Sequence, residues 1–158
     1  MSDFSQRFSK GVRNDWETPD DLFNKLNDEF GFTLDVCANE TNKKCEVFFS
    51  ESDDAFTKDW NGVCWMNPPF KNTKKWVIKA LGEAQKGATV VCLIPAITNT
   101  HWWHDYAMKG EVRFVLGRPI FKGAKEGLPN PLAIVVFTPS NTARTRQGQA
   151  APQFEVFE

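Results

Sequence analysis

The residues best suited to chemistry stand at 67–70, where the apolar run Val63–Met66 ends in Asn-Pro-Pro-Phe. Asn67 carries an amide oxygen that accepts hydrogen bonds, and Pro68 keeps its carbonyl but has no N–H to donate. Two fixed acceptors suit a substrate nitrogen that carries two hydrogens. Phe70 adds a flat apolar face beside them. The stretch therefore predicts a site for an NH₂ group on a flat ring.

An amino group such as adenine N6 fits this arrangement. Accepting both of its hydrogens keeps electron density on the nitrogen and aims its lone pair at an electrophile. Such a reaction needs no Cys, Ser or His nucleophile. The alternative is an ordinary strand-ending turn, since Asn-Pro often begins turns. The position after an apolar strand, in an alternating pattern of strands and helices, favours a site.

Strands and helices alternate along most of the chain, which predicts an α/β fold with a mostly parallel sheet, helices on both faces and an antiparallel edge. Ligands of such sheets bind beyond the carboxyl ends of the strands, where the loops 35–39, 67–70 and 95–98 are expected to converge. The first predicted helix has Thr18 as N-cap and Pro19 at its first position, and it ends at Gly31. The other predicted elements are strands at 32–36, 63–66, 87–95, 111–116 and 132–137, a short strand at 47–49, and helices at 76–84 and 102–108.

The length and composition predict one globular domain. Of the 158 residues, 41% are hydrophobic and 25% charged, and no apolar run approaches the roughly 20 residues of a membrane span. The polar N-terminus has no signal-peptide pattern, so we expect a cytoplasmic protein without membrane contact. We expect a flexible arm at 1–14, the domain at 15–138 and a flexible tail at 139–158. The spacing of the four cysteines and the HxxH pair at 101–104 indicates reduced thiols and no metal site.

Charge is unevenly distributed although the net charge is only −1. Residues 1–60 contain 7 basic and 14 acidic residues, and residues 61–158 contain 12 basic and 6 acidic residues. The second half could therefore present a cationic face to a polyanion. The alternative is a pair of acidic and basic surfaces that attract each other.

The tetrapeptide at 67–70 resembles the (N/D/S)PP(Y/F) motif of amino-group methyltransferases that use S-adenosylmethionine. Together with further segments, the chain resembles the small phage- and prophage-type DNA N6-adenine methyltransferases. These segments are Asp15-Trp16-Glu17-Thr18-Pro19, Phe32-Thr33-Leu34-Asp35-Val36-Cys37-Ala38-Asn39, Glu51-Ser52-Asp53-Asp54-Ala55-Phe56, Leu93-Ile94-Pro95-Ala96, Trp102-Trp103-His104 and Arg113-Phe114-Val115-Leu116-Gly117-Arg118. One departure is the absence of a glycine-rich FxGxG turn after the first strand.

The resemblance implies a Rossmann-like methyltransferase domain, S-adenosyl-L-methionine as cofactor, and an adenine flipped out of double-stranded DNA as target. Asn67 and the Pro68 carbonyl would hold N6, with Pro69 stiffening the corner and Phe70 stacking on the base. No covalent intermediate is expected, and we expect a monomer. The residues implied to bind the cofactor are Trp16, Thr18, Pro19, Asp35, Cys37, Ala38 and Asp54, with Asp54 preferred to Asp53 for the ribose.

Several of these cofactor residues have a structural alternative. Asp35 could simply cap the end of a strand, and Thr18 could simply cap a helix, where Asp20 and Asp21 would compete with an anion. Trp16 could equally be a core residue.

The residues assigned to DNA lie mainly after the catalytic corner. Lys71, Lys74 and Lys75, with Lys79, could meet phosphates near the flipped base, or form a solvated helix face. At helical spacing Trp102 and Trp103 cannot both face the core, so one is expected at the DNA surface, and Trp103 is our choice. The loop from Arg118 to Pro129, with Lys122 and Lys125, is expected to read the sequence; the alternative is a mobile, solubilising connection.

Three other functions fit the same motif. An RNA adenine methyltransferase has the identical target group. A protein-glutamine methyltransferase also acts on an NH₂ group, although such enzymes usually keep the glycine-rich turn. A catalytically inactive phage DNA-binding protein is the third, and the intact corner argues against it.

Overall fold

The computed structural model describes residues 17–127, residues 129–143 and the backbone of residues 154–157. The predicted arm at 1–14 and Trp16 lie outside the described residues. The described elements are helix α1 (Asp20–Phe30), strands β1 (Leu34–Asp35) and β2 (Val63–Met66), helix α2 (Thr73–Gln85), strand β3 (Thr89–Pro95), helix α3 (His101–Asp105), strands β4 (Glu111–Val115) and β5 (Leu132–Phe137), helix α4 (Pro139–Thr142), strand β6 (Phe154–Phe157), and the 3₁₀ turns Glu51–Asp53, Ala55–Thr57, Phe70–Asn72 and Ala107–Lys109.

The six strands form one sheet in the order β1-β2-β3-β5-β4-β6. Neighbours β1, β2 and β3 pair in parallel, and β4 pairs in parallel with β6. Strand β5 is antiparallel to both β3 and β4. The predicted antiparallel edge is therefore wrong in position, because the reversed strand lies inside the sheet. The described residues between β4 and β5 contain no crossover helix, so the chain returns antiparallel.

Helices cover both faces of the sheet, as predicted. Alternate residues of β3 point to opposite sides: Val90 and Cys92 join the core cluster that contains α2, and Val91 joins the cluster that contains α1. Strand β5 is buried along its whole length. Such two-sided burial explains why these strands are almost continuously apolar.

Helix α1 differs from the prediction at its start and agrees at its end. Pro19, not Thr18, is the N-cap residue, and no side chain makes a capping bond. The Pro19 carbonyl instead accepts the N–H of Phe23 at 3.1 Å. The helix ends at Gly31, whose φ of 68° places it in the left-handed region that glycine adopts without a steric cost.

Several other boundaries shift. The strand predicted at 32–36 is only Leu34–Asp35, and the strand predicted at 47–49 reduces to one parallel bridge between Phe48 and Asp35. Helix α2 begins at Thr73, three residues before the predicted start at 76. The helix predicted at 102–108 divides into α3 and the 3₁₀ turn Ala107–Lys109.

The segment 139–158, predicted as a flexible tail, contains two regular elements. Thr138 begins helix α4 with a capping box, in which its hydroxyl accepts the N–H of Asn141. The backbone of β6 extends the sheet beside β4. The tail prediction therefore does not hold for Pro139–Thr142 and Phe154–Phe157, and residues 144–153 lie outside the described part. Within that part, no helix is both long and apolar enough to cross a membrane.

Candidate active site

A cavity of about 560 Å³ opens at the edge of the sheet where β1 and β2 end. Asp35 is paired with Trp65 in the parallel register, so the residues that follow both strands leave the sheet side by side. The cavity is lined by Glu17, Thr18, Asp35, Val36, Cys37, Ala38, Asn39, Asn42, Lys44, Phe49, Ser50, Glu51, Asp54, Ala55, Phe56, Trp65, Asn67, Pro69, Lys71, Asn72, Lys75 and Trp76.

The loop 95–98, expected at the same place, is not part of this lining. Met66 is paired with Cys92, so β3 continues three residues beyond the end of β2. Its last residue, Pro95, is paired with Leu132 of β5. The longer strand carries the loop past the cavity, and the predicted convergence holds for two loops rather than three.

Asn67 is held by a residue from a distant part of the chain. Its Nδ2 donates to the hydroxyl oxygen of Thr18 at 2.9 Å, across 49 positions of sequence. Thr18 is only 1% exposed. Both residues line the cavity, together with Pro69. The amide is therefore bonded through its nitrogen end, and Oδ1 is its acceptor end.

The other two residues of the corner lie deeper. Pro68 is buried and outside the cavity lining. Phe70 is half-buried in the 3₁₀ turn Phe70–Asn72, and its ring lies 6.2 Å from the ring of the buried Phe121. Phe70 packs with the α1 side of the core instead of lining the cavity. Its ring thus borders the loop that follows β4.

Asp35 is a buried carboxylate at the end of β1, with 2% of its surface exposed. Its Oδ1 accepts the N–H of Cys37 at 3.2 Å, and its Oδ2 accepts the N–H of Lys44 at 3.0 Å. Burial raises the pKa of Asp35 to about 6, against the opposing effect of these hydrogen bonds. Asp35 therefore caps the end of β1, as the structural alternative predicted, and its carboxylate also lines the cavity.

Two lysines and two acids form a charged cluster at the start of α1. Lys44 Nζ lies 2.9 Å from Glu17 Oε1 and 3.1 Å from Asp20 Oδ1. Lys122 Nζ lies 3.1 Å and 2.8 Å from the same two oxygens. Partial burial would raise the pKa of Glu17, but hydrogen bonds from both lysines lower it overall. The cluster joins the cavity wall to the loop that carries Lys122.

The two candidate ribose acids behave differently. Asp53 is engaged in a capping box, where its Oδ2 accepts the N–H and the hydroxyl of Ser50, both at 2.8 Å. Asp54 lines the cavity, has a φ of 53° and accepts the N–H of Phe56 at 3.2 Å. Of these two acids only Asp54 lines the cavity, and its contact with the ribose stays a prediction. A non-glycine residue at positive φ is uncommon and marks this turn as locally strained.

An aromatic wall, which the sequence did not reveal, lines the same cavity as Asp54. Phe56 and Trp76 have ring centroids 4.5 Å apart, and Lys75 Nζ lies 4.1 Å above the Phe56 ring. Trp60 is buried behind them. The rings come from a 3₁₀ turn and from α2, so no periodic pattern connects them. Lys44 and Glu17 also line the cavity, and they were not predicted as site residues because no periodic pattern connects them.

The residues assigned to DNA are separated by the structure. Lys71, Lys74 and Lys75 are all exposed, and Lys71 and Lys75 line the cavity while Lys74 does not. Lys79 instead bonds the carboxylate of the buried Glu83 at 2.7 Å and the carbonyl of Lys58. It belongs to an internal ion pair and is not a candidate for phosphate contact.

Trp103 does not lie at a surface. Its ring is 2% exposed and stacks on Phe114 in the core, whereas Trp102 is half-buried. The choice of Trp103 for DNA contact is therefore wrong, because α3 turns that side chain inward. Arg118 is exposed. Lys122 is partly exposed but pairs with Glu17 and Asp20.

Of the remaining residues predicted to bind the cofactor, some line the cavity and others do not. Cys37 and Ala38 line it, and burial raises the pKa of Cys37 to about 12, so its thiol stays protonated. Pro19 lies beside Thr18 but outside the lining. Trp16 falls outside the described residues.

An α/β sheet with a cavity beyond the carboxyl ends of neighbouring parallel strands is the arrangement in which open α/β proteins bind ligands. The chain belongs to the DNA N-6-adenine-methyltransferase (Dam) family, whose model matches residues 5–157.

Three relatives illustrate this membership. A DNA N-6-adenine-methyltransferase of Escherichia phage T1 is 33% identical over 97 residues, which are 60% of this chain and 41% of the relative. One of Haemophilus phage HP1 (strain HP1c1) is 35% identical over 98 residues, 60% of this chain and 57% of the relative. A putative methyltransferase YfdM of Escherichia coli (strain K12) is 35% identical over 69 residues, 39% of this chain and 76% of the relative. The chain thus spans about half the length of the two phage proteins.

Proposed function

We propose that this chain is an S-adenosylmethionine-dependent DNA adenine-N6 methyltransferase that acts on a flipped adenine in double-stranded DNA. The observation that carries the proposal is the bonded amide of Asn67 at the rim of a cavity that also contains the buried Asp35. The family to which the chain belongs supports the same reaction. The order and cover of the sheet support a Rossmann-like arrangement.

The cavity fits the proposed cofactor in size and in chemistry. Its volume falls within the roughly 300–1,000 Å³ of small-molecule sites. Asp35 offers a carboxylate for the ammonium group, Asp54 offers one for the ribose hydroxyls, and Phe56 and Trp76 offer apolar surface for the adenine ring. The cofactor would supply an activated methyl group on a sulfonium centre.

The corner at 67–70 would hold the nitrogen that receives this methyl group. Asn67 Oδ1 and the Pro68 carbonyl accept the two hydrogens of N6. The nitrogen then keeps its electron density and presents its lone pair toward the cavity. Pro68 and Pro69 fix φ in two successive residues, so the backbone that carries the Pro68 carbonyl moves little when the substrate enters.

The target base reaches this corner only outside the duplex, because its N6 is paired inside it. Phe70 is the last residue of the corner and would support the flipped base with the part of its ring that is not packed on Phe121. Lys71, Lys74 and Arg118 are exposed cations that would contact phosphates. Lys75 is exposed as well, but its Nζ lies 4.1 Å over the Phe56 ring at the cavity wall.

The test is methyl transfer from labelled S-adenosylmethionine to three acceptors: duplex DNA, RNA of the same sequence and a glutamine peptide. Label on adenine N6 of duplex DNA supports the proposal. Label on RNA or peptide alone would transfer the assignment to those substrates. Heat of cofactor binding, measured by calorimetry, separates an enzyme from an inactive DNA-binding protein, which would give no heat.

A further inference from the structure

Thr18 has a buried hydroxyl that the helix beside it does not use. The side chain is 1% exposed, and the N-cap of α1 is Pro19, with no side-chain capping bond. Its Oγ1 instead accepts from Asn67 Nδ2 at 2.9 Å. A polar group removed from water in this way requires a partner, and here the partner is the residue proposed to hold the substrate nitrogen.

The orientation of this amide matters, because its two ends are similar in size and opposite in function. The oxygen accepts hydrogen bonds and the nitrogen donates them. A substrate NH₂ group needs the acceptor. An amide turned by half a rotation would present its own hydrogens to those of the substrate. In this structure the Thr18 oxygen bonds the nitrogen end and so holds the amide in the productive orientation.

The backbone on both sides of Thr18 is fixed, which makes its hydroxyl a firm support. Pro19 has a restricted φ of −55° and is the N-cap residue of α1. Glu17 forms an antiparallel bridge with Lys122, where the Lys122 N–H donates to the Glu17 carbonyl at 3.0 Å. The support for Asn67 thus comes from two segments that are remote from it in sequence.

We propose that Thr18 is a positioning residue for the transfer reaction, which orients Asn67 through its hydroxyl instead of binding the cofactor. The inference rests on the proposed function. Thr18 was predicted to bind the cofactor, and its proposed role is now to support the Asn67 amide. The segment at 17–19 would thereby help to position the target adenine, through Asn67.

Thr18→Val and Thr18→Ser test this role, because valine keeps the shape and removes the hydroxyl, whereas serine keeps the hydroxyl. We expect the single-turnover rate of Thr18→Val to fall about 10- to 100-fold, since small misplacements of reacting groups cost this much. Cofactor affinity should stay within about threefold, and Thr18→Ser should recover most of the rate. Thermal unfolding of both variants checks that they are folded.

A second measurement needs neither cofactor nor DNA. The side-chain NH₂ signals of Asn67 are assigned in the ¹⁵N spectrum by their loss in Asn67→Ala. They should shift in Thr18→Val and return toward the parent position in Thr18→Ser. Unmoved signals in Thr18→Val would contradict the hydrogen bond itself.

The outcomes separate this inference from the proposed function. If the parent transfers methyl groups and Asn67→Ala does not, while Thr18→Val matches the parent, the positioning role alone is refuted. A loss of cofactor affinity as large as the loss of rate would make Thr18 a cofactor ligand and refute it too. A parent that methylates no nucleic acid would overturn the proposed function, and this inference with it.

Discussion

The carboxylate of Asp35 accepts the backbone N–H of Lys44 at 3.0 Å, and this bond anchors the loop that follows β1. The ammonium of the same lysine extends instead to Glu17 and Asp20. Asp35 is thus bonded by neutral N–H groups, and the Lys44 ammonium, whose charge only partly lowers the pKa of Asp35, pairs with other acids. This division explains why desolvation prevails and raises the pKa of Asp35 to about 6.

Cofactor affinity should depend on the ionisation of Asp35. The ionised fraction of this carboxyl rises with pH through about 6, and only the ionised form attracts the cofactor ammonium. We expect the affinity for S-adenosylmethionine to be constant above about pH 7. Well below pH 6, the dissociation constant should rise by up to about tenfold for each unit by which the pH falls. Calorimetry across this range measures it. Asp35→Asn should bind weakly and without this dependence; an unchanged pH profile in that variant would exclude Asp35 as its source.

Removal of Lys44 should destabilise the fold more than removal of its neighbour Lys43. The Lys44 side chain is 8% exposed and pairs with Glu17 and Asp20, whereas Lys43 is 31% exposed and lies 3.4 Å from Glu40. We expect Lys44→Met to lower the free energy of unfolding by about 1–3 kcal/mol, because two acids lose a partner. Lys43→Met is the matched control, with a change below about 1 kcal/mol. Urea unfolding compares the two, and equal losses would contradict the structural role of the cluster.

Asn67→Ala should remove methyl transfer and spare cofactor binding. The substitution deletes the acceptor for N6 while Asp35 and Asp54 remain in place, so we expect the transfer rate to fall by at least about 100-fold. Single-turnover transfer and calorimetry measure the two properties separately. Asn61→Ala, at an exposed position before β2, is the control and should match the parent. Equal transfer rates in Asn67→Ala and the parent would refute the assigned role.

Lys74 and Lys75 should differ although they are adjacent. Lys74 is exposed outside the cavity, and Lys75 lies over Phe56 at its wall. Lys74→Gln should weaken DNA binding and reduce the magnitude of the salt slope by about 0.9, because one phosphate contact is lost. Lys75→Gln should mainly weaken cofactor binding. Lys109→Gln, an exposed lysine on the 3₁₀ turn Ala107–Lys109, is the control, and an unchanged slope in Lys74→Gln would show that this lysine does not meet phosphate.

The strands of the sheet centre were predictable because their signals are local. Val63–Met66 and Leu132–Phe137 were placed without error, since both are apolar runs bounded by polar or turn residues. The end of α1 at Gly31 was predictable because a left-handed terminus favours glycine. Strand β6 was missed, because its residues follow a long polar segment and pair only with β4.

The α/β pattern, the stiff corner at 67–70 and the acid at the end of β1 could be predicted from the chain, because these features depend on residue type and on short-range periodicity. Three features became visible only in the folded molecule: Trp103 turns into the core, β5 runs inside the sheet, and Thr18 contacts Asn67. These outcomes depend on which distant segments pack together, and contacts across 49 positions leave no periodic trace in the chain.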